Sequence, residues 1–357
     1  MGVIREADFR PAWWMKSAHM QTLWGPLKRR LPEIDRRTER LQLADGDHLQ
    51  LDWAGPQGVG SGVIVILLHG LAGCSDSHYI RGIQASLVAA GIGSVAINSR
   101  GARQPNSTAL GYHAGEIDDV DAVIEHVYRR HPAANLLAIG VSLGGSRLLN
   151  WLARRDSGKL TAVASVCAPL RLDLCANRLD HGLSQVYRRH LIKQLMGQLH
   201  TKKRYLNDHF PHQAARLNAL DISDIESFWD YDDQVIAPLY DFRSAGDYYQ
   251  RCSAGPQLHH IRSPALILHA KDDPFMTPDV IPQHKDLSPT VQLEISRHGG
   301  HVGFVSAGPQ PYWLEQRMLR FVRDSLPEEL RSAYRFDVAF NARSSLPSSS
   351  GTKGSAA

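Results

Sequence analysis

Cysteine is scarce in this chain: Cys74, Cys167, Cys175 and Cys252 are the only four, widely spaced, with no CxxC pair. That excludes a disulfide framework and fits reduced thiols in a cytoplasm. Long apolar runs are missing too. The longest, VIVILL (63–68), falls far short of the roughly 18–20 residues needed to span a bilayer, so no transmembrane segment is expected. The start, MGVIREADFRPAWWM, has no apolar leader region with a small-residue cleavage site. MGVIRE also lacks the serine or threonine of a myristoylation signal. A cytoplasmic protein is the expectation. Nor is there a dense block of one charge. The net +4 is dispersed: RRLPEIDRRTER (29–40) mixes signs, and YRRH and KKRY are short. These read as solvated faces, and nucleic acid is not an expected partner. Internal repeats are absent.

What is present is enough apolar residue, 43% of 357, to bury a full core. VIVILLHG (63–70), IGSVAINS (92–99), LLAIGVS (136–142) and TAVASVCA (161–168) are short and continuously apolar, and ALILHA (265–270) and VQLEIS (291–296) follow later. Such runs suit strands buried on both faces. Between them, EIDDVDAVIEHVYRR (116–130) puts Ile117, Val120, Val123, Ile124 and Val127 on one helical face. Leu148, Leu149 and Leu152 do the same after Ser142, and YWLEQRMLRFVRDSL (312–326) closes the pattern. Alternating strand and helix predicts an α/β protein with a mostly parallel, doubly wound sheet. LQLADGDHLQLDWAG (41–55), turning at Asp45-Gly46, predicts an antiparallel hairpin at one edge.

The rhythm breaks from 170 to 257, a polar, helical stretch too long for a crossover, which predicts an inserted helical cap. The expected organisation is an N-terminal arm (1–40) packing on the core, a core of 41–169 and 258–326, that cap, and a disordered Ser/Gly-rich tail over 340–357.

The chemistry starts at Gly140-Val141-Ser142-Leu143-Gly144, a G-x-S-x-G between a predicted strand and a predicted helix. The turn is so tight that side chains two places either side of the serine would clash. The helix behind it aims its N-terminus at the hydroxyl and favours negative charge there. The alternative is a glycine-rich turn whose serine merely caps the helix. A nucleophilic serine needs a base, and the loop after the last strand, ISRHGGHVGF (295–304), offers His298 and His301. Gly299 and Gly300 let that loop curl back, which favours His301. The orienting acid is expected after the preceding strand, where HAKDDPF supplies Asp272 and Asp273. With Ala270 in the small position, Asp273 is the orienter and Asp272 a candidate for bonding loop amides. The order Ser142, Asp273, His301 is that of the α/β-hydrolase fold. An oxyanion hole is expected from the backbone N–H groups of Leu143 and Leu71, the latter in His69-Gly70-Leu71-Ala72-Gly73, with His69 organising that loop.

HGLAG, GVSLGG, HAKDDPF and GGHVGF, in that order, resemble the YheT-like (AB hydrolase 4) branch of the α/β-hydrolases. So do His19-Met20-Gln21-Thr22, Asn98-Ser99-Arg100-Gly101, Tyr112-His113-Ala114-Gly115-Glu116, and Asp247-Tyr248-Tyr249 before Cys252-Ser253; the resemblance covers roughly residues 8 to 325. It implies a hydrolase or carboxylesterase with its charge relay on Ser142, Asp273 and His301. Animal members carry an N-terminal membrane anchor, and without one here a soluble, bacterial type is expected. The chain departs from the family at Ala102-Arg103-Gln104, where Cys or Ser, then Gly, then often Glu is usual, in a loop expected at the pocket.

A metal site from His298, His301 and the aspartates has no supporting helical spacing and would leave the serine unexplained. Neither metal nor cofactor is expected. Trp13, Trp14 and Trp24, with Leu23 and Leu27, either touch a membrane or pack the arm over the core, and packing is the expectation. Arg100 is expected in a structural ion pair. The resulting expectation is an esterase acting on acyl or lipid-like esters through an acyl-enzyme. A thioesterase, an acyltransferase with the same triad, and a non-catalytic ester- or lipid-binding module are the alternatives.

Overall fold

The computed structural model describes residues 1–56 and 62–337; the tail read as disordered, 340–357, lies outside them. Nine strands form one sheet in the order β1-β9-β8-β7-β6-β4-β5-β3-β2. They are β1 (Val3–Glu6), β2 (Arg36–Gln42), β3 (His48–Ala54), β4 (Val63–Leu68), β5 (Gly93–Asn98), β6 (Asn135–Val141), β7 (Ala162–Val166), β8 (Ala265–Ala270) and β9 (Val291–Ser296). Pairing is parallel from β5 across to β1, and β3 runs antiparallel to both β5 and β2.

The continuously apolar strands serve two cores because alternate side chains face opposite ways. Ile64, Ile66 and Leu68 of β4 join one cluster with the helices α3 (Asp118–Arg130) and α4 (Leu143–Arg155). Val63, Val65 and Leu67 join the other, with Leu87 from the helix α2 (His78–Ala89) and Met318 from the C-terminal helix Trp313–Asp324. The predicted apolar face of α3, Ile117 to Val127, is buried throughout. The hairpin β2–β3 closes one edge. β2 starts at Arg36, inside the mixed-sign stretch, and its exposed charges suit an edge strand that must not recruit another.

At the far edge the arm does more than pack. Val3–Glu6 adds a strand parallel to β9, pairing Val3 with Gln292 and Glu6 with Ile295. The helix α1 (Ala18–Lys28) follows, capped by Ser17. Trp24 packs against Ala12, Met15 and Val305, and Trp14 lies on Trp24 with ring centroids 5.0 Å apart. Trp13 and Leu27 depart furthest from the packing expectation, at 80% and 69% exposure, and Leu23 and Trp14 are also exposed, at 42% and 41%.

Between β7 and β8 the chain builds the cap from α5 (Leu172–Leu179), the long α6 (Ser184–His209), α7 (Pro211–Asn218), and further short helices that include Ala245–Cys252. Two apolar clusters hold it, one of which includes Leu143 beside the nucleophile candidate. Among the described residues no helix is long and apolar enough to cross a membrane.

Candidate active site

Ser142 stands between β6 and α4 with φ 53° and ψ −123°, a conformation that costs free energy and persists only where its surroundings impose it. Its N–H donates to Val166 O at 2.8 Å, tying the turn to the next strand. The glycines are required by contact. A Cβ on Gly140 would lie 2.4 Å from Gly144 O, and one on Gly144 would lie 2.6 Å from both Leu68 O and His69 O. The Ser142 hydroxyl makes no capping bond to α4. It faces His301 Nε2 at 3.0 Å, and His301 Nδ1 faces Asp273 Oδ2 at 2.8 Å. The three residues singled out in the sequence therefore touch in a chain.

Asp273 is 4% exposed, and its other oxygen accepts from the Phe275 N–H at 2.8 Å. The Phe275 ring stacks on the His301 imidazole, centroids 4.1 Å apart and planes 11° apart, which fixes the ring plane. Asp272 accepts from the Gly300 N–H at 2.9 Å and so holds the histidine loop, and burial raises its carboxyl pKa. His298 is half-exposed, 3.4 Å from Asp272, and belongs to that support.

Around the loop 69–73, Tyr79 Oη accepts from Gly70 N–H at 3.0 Å and Tyr112 Oη from Ala72 N–H at 2.9 Å. Leu71 N–H and Leu143 N–H have no acceptor among the described residues, and both residues line the same cavity as Ser142. His69 is an organiser: Ser99 N–H donates to its Nε2 at 3.2 Å, so Nδ1 carries the proton and donates to Gly70 O at 2.7 Å. Burial pushes its pKa down to about 4, which keeps it neutral. Arg100 is bidentate on Asp119, with bonds of 2.7 to 3.1 Å. The divergent residues Ala102-Arg103-Gln104 do not line the cavity, contrary to expectation: Arg103 turns to Asp52 and Asp76, and the preceding Arg100 and Gly101 reach the cavity wall.

Sequence reasoning gave no role to the arm residues that brace the histidine loop. His301 N–H donates to Thr22 Oγ1 at 2.9 Å, and Thr22 donates to Ala18 O at 2.8 Å. The fully buried Gln21 accepts from Val305 N–H at 2.6 Å and donates back to Val305 O at 3.1 Å. The motif His19-Met20-Gln21-Thr22 was the signal, but these contacts span about 280 positions of sequence and no local pattern announces them. Among the described residues no set of three His, Cys, Asp or Glu side chains is gathered for a metal ion.

The cavity above Ser142 holds about 630 Å³, within the range of small-molecule sites, and is walled mainly by apolar cap side chains such as Leu172, Leu179, Leu195, Phe228 and Ile236. Lys202 of α6 also lines it, buried, with Nζ donating to Leu110 O. Desolvation outweighs the attraction of Asp47 and lowers its pKa to about 7. The folded protein then binds fewer protons than the unfolded chain from there up to the ordinary lysine value of about 10.4. Stability is expected to rise with pH across that window and to be lowest below it. Lys202→Met should remove this slope, stabilising the protein by about 2 kcal/mol more near pH ~6 than near pH ~9. Denaturant unfolding of both proteins at the two pH values checks this.

A parallel sheet, a strained serine turn at its carboxyl edge and an acid–histidine–serine contact chain define the class. A family model described as the alpha/beta hydrolase fold matches residues 63–307, and the chain belongs to that family. Within it, the chain belongs to the YheT-like branch. It is 34% identical to YheT of Escherichia coli K12, named as a candidate esterase, over 87% of this chain and 92% of that one. It is 29% identical to the mouse phospholipase ABHD3 over 85% of this chain and 74% of that one. Among solved structures, the Pyrococcus furiosus esterase Pf2001 shares the fold at a TM-score of 0.51 and 16% identity, over 82% of this chain and 93% of that one.

Proposed function

We propose that this chain hydrolyses carboxylic esters with lipid-like acyl groups through an acyl-enzyme on Ser142. The observation that carries this reading is the unbroken contact chain Asp273–His301–Ser142 at the floor of an apolar cavity. His301 Nε2 takes the Ser142 proton as Oγ attacks the ester carbonyl, and the resulting imidazolium is stabilised by the Asp273 carboxylate. The N–H groups of Leu71 and Leu143 receive the oxyanion. Each such donor is typically worth about 3–4 kcal/mol in the transition state. His301 then gives its proton to the departing alcohol. Water enters, is deprotonated by the same nitrogen and attacks the acyl carbonyl; the acyl–Oγ bond then breaks, Ser142 takes back the proton from His301, and the acid is released.

Esterase and phospholipase names among the relatives support the substrate class. The cavity supports its character: apolar walls reward each buried methylene by about 0.8 kcal/mol, so longer acyl chains should bind better until the space is filled. Nitrophenyl esters of graded acyl length test this. kcat/KM is expected to climb from acetate to a medium-length chain and then fall. A flat profile, or a maximum at acetate, contradicts the assignment of the cavity to the acyl group.

A further inference from the structure

Several of the exposed large apolar residues cluster on two neighbouring helices, apart from Met1, Val3, Tyr128 and Phe210, which lie elsewhere. On α1, Met20, Leu23 and Leu27 are 47%, 42% and 69% exposed, and their spacing of three and four puts them on one helical face. Opposite them, Leu183 and Val186 at the start of α6 are 67% and 61% exposed. Leu23, Leu27 and Val186 also line the cavity that holds Ser142, so this apolar surface forms a collar around the cavity mouth. The two helices are tied together there by His19 and Tyr187, bonded at 2.9 Å with stacked rings. Trp13 stands out beside α1 at 80% exposure. Single exposed apolar residues need no explanation, but a rimmed patch around a site does.

The two helical segments that form the collar carry one sign of charge. From Phe9 to Pro32 the chain has no Asp or Glu, and neither does α6 from Ser184 to Asn207. Lys16, Lys28, Arg30, Arg189 and Lys193 are all exposed along these segments. Apolar side chains with an exposed tryptophan, fringed by cations, match a bilayer interface with anionic headgroups. A mouth opening through that same face also accounts for where the patch lies.

We propose that the α1–α6 collar docks on an anionic lipid surface, setting the cavity mouth against the headgroups so that acyl chains enter from the lipid. The entry step rests on the ester-hydrolase reading above; the docking does not.

Full-length protein is sedimented with vesicles of phosphatidylcholine alone and of phosphatidylcholine mixed with phosphatidylglycerol. The comparison is with a Trp13→Ala, Met20→Ser, Leu183→Ser variant, three exposed positions outside the cavity lining, and with Lys16→Glu, Lys193→Glu. The wild type should bind the anionic vesicles at least tenfold better than neutral ones, and bind them less as salt rises. Both variants should lose at least tenfold of that binding while hydrolysing a dissolved short-chain ester at the wild-type rate. Equal binding to both vesicles, or variants that bind like wild type, overturns the docking. So does a wild-type dimer on sizing that the apolar variant abolishes, because a second copy then covers the collar. Vesicle binding without hydrolysis of any ester would instead sink the proposed activity and leave the docking standing.

Discussion

Replacing Ser142 by alanine is expected to lower kcat for a nitrophenyl ester by on the order of 10⁶-fold while leaving folding intact. Among the described residues, the hydroxyl is the hydrogen-bond partner of His301 Nε2, at 3.0 Å. Without it the base has nothing to activate except water, and the amide donors alone give the modest residual rate seen when a triad is dismantled. Little stability should be lost. The serine side chain makes no capping bond, and the strained backbone at φ 53° is imposed by the sheet bond to Val166 and the flanking glycines, all of which remain. A steady-state assay beside a circular-dichroism melt checks both halves. A variant that melts like the wild type and retains most of its rate would remove Ser142 from the mechanism.

Exchanging Asp273 for asparagine should cost roughly 10⁴-fold in kcat, and the same exchange at Asp272 less than tenfold. The contrast follows from what each carboxylate touches. One oxygen of Asp273 accepts from Phe275 N–H and the other faces His301 Nδ1. In Asp273→Asn the amide oxygen keeps the backbone bond and the NH₂ turns toward Nδ1. The imidazole proton must then move to Nε2, where it cannot accept from Ser142, and the charge that stabilised the imidazolium is gone. Among the described residues Asp272 is bonded to the Gly300 amide and lies against the half-exposed His298, and an asparagine oxygen accepts from that amide equally well.

The parts of the site that were legible in the sequence are those a local rule dictates. The serine turn was readable because close backbone approach tolerates only glycine at Gly140 and Gly144. His301 and Asp273 were readable because they follow strands whose apolar runs are unmistakable and whose order along the chain is that of the fold. The parallel core was readable for the same reason, since β4 and β5 are buried at every position. What escaped depends on partners distant in sequence. Val3–Glu6 is four residues with no apolar alternation, and becomes a strand only because β9 offers a free edge. Thr22 and Gln21 sit in an ordinary short helix, and their hold on the histidine loop exists only once the arm packs α1 against that loop. Lys202 reads as one of many solvated cations on a polar helix, yet the cap folds it into the cavity wall. Trp13 differs the other way: an aromatic residue was expected to pack, and it stands 80% exposed.

The most direct test of the central claim is to treat the folded protein with a fluorophosphonate and locate the adduct by mass spectrometry of its peptides. The triad predicts one adduct, on Ser142, absent from Ser142→Ala and strongly slowed in Asp273→Asn. An adduct on another residue, or labelling of Ser142→Ala at the wild-type rate, would contradict it.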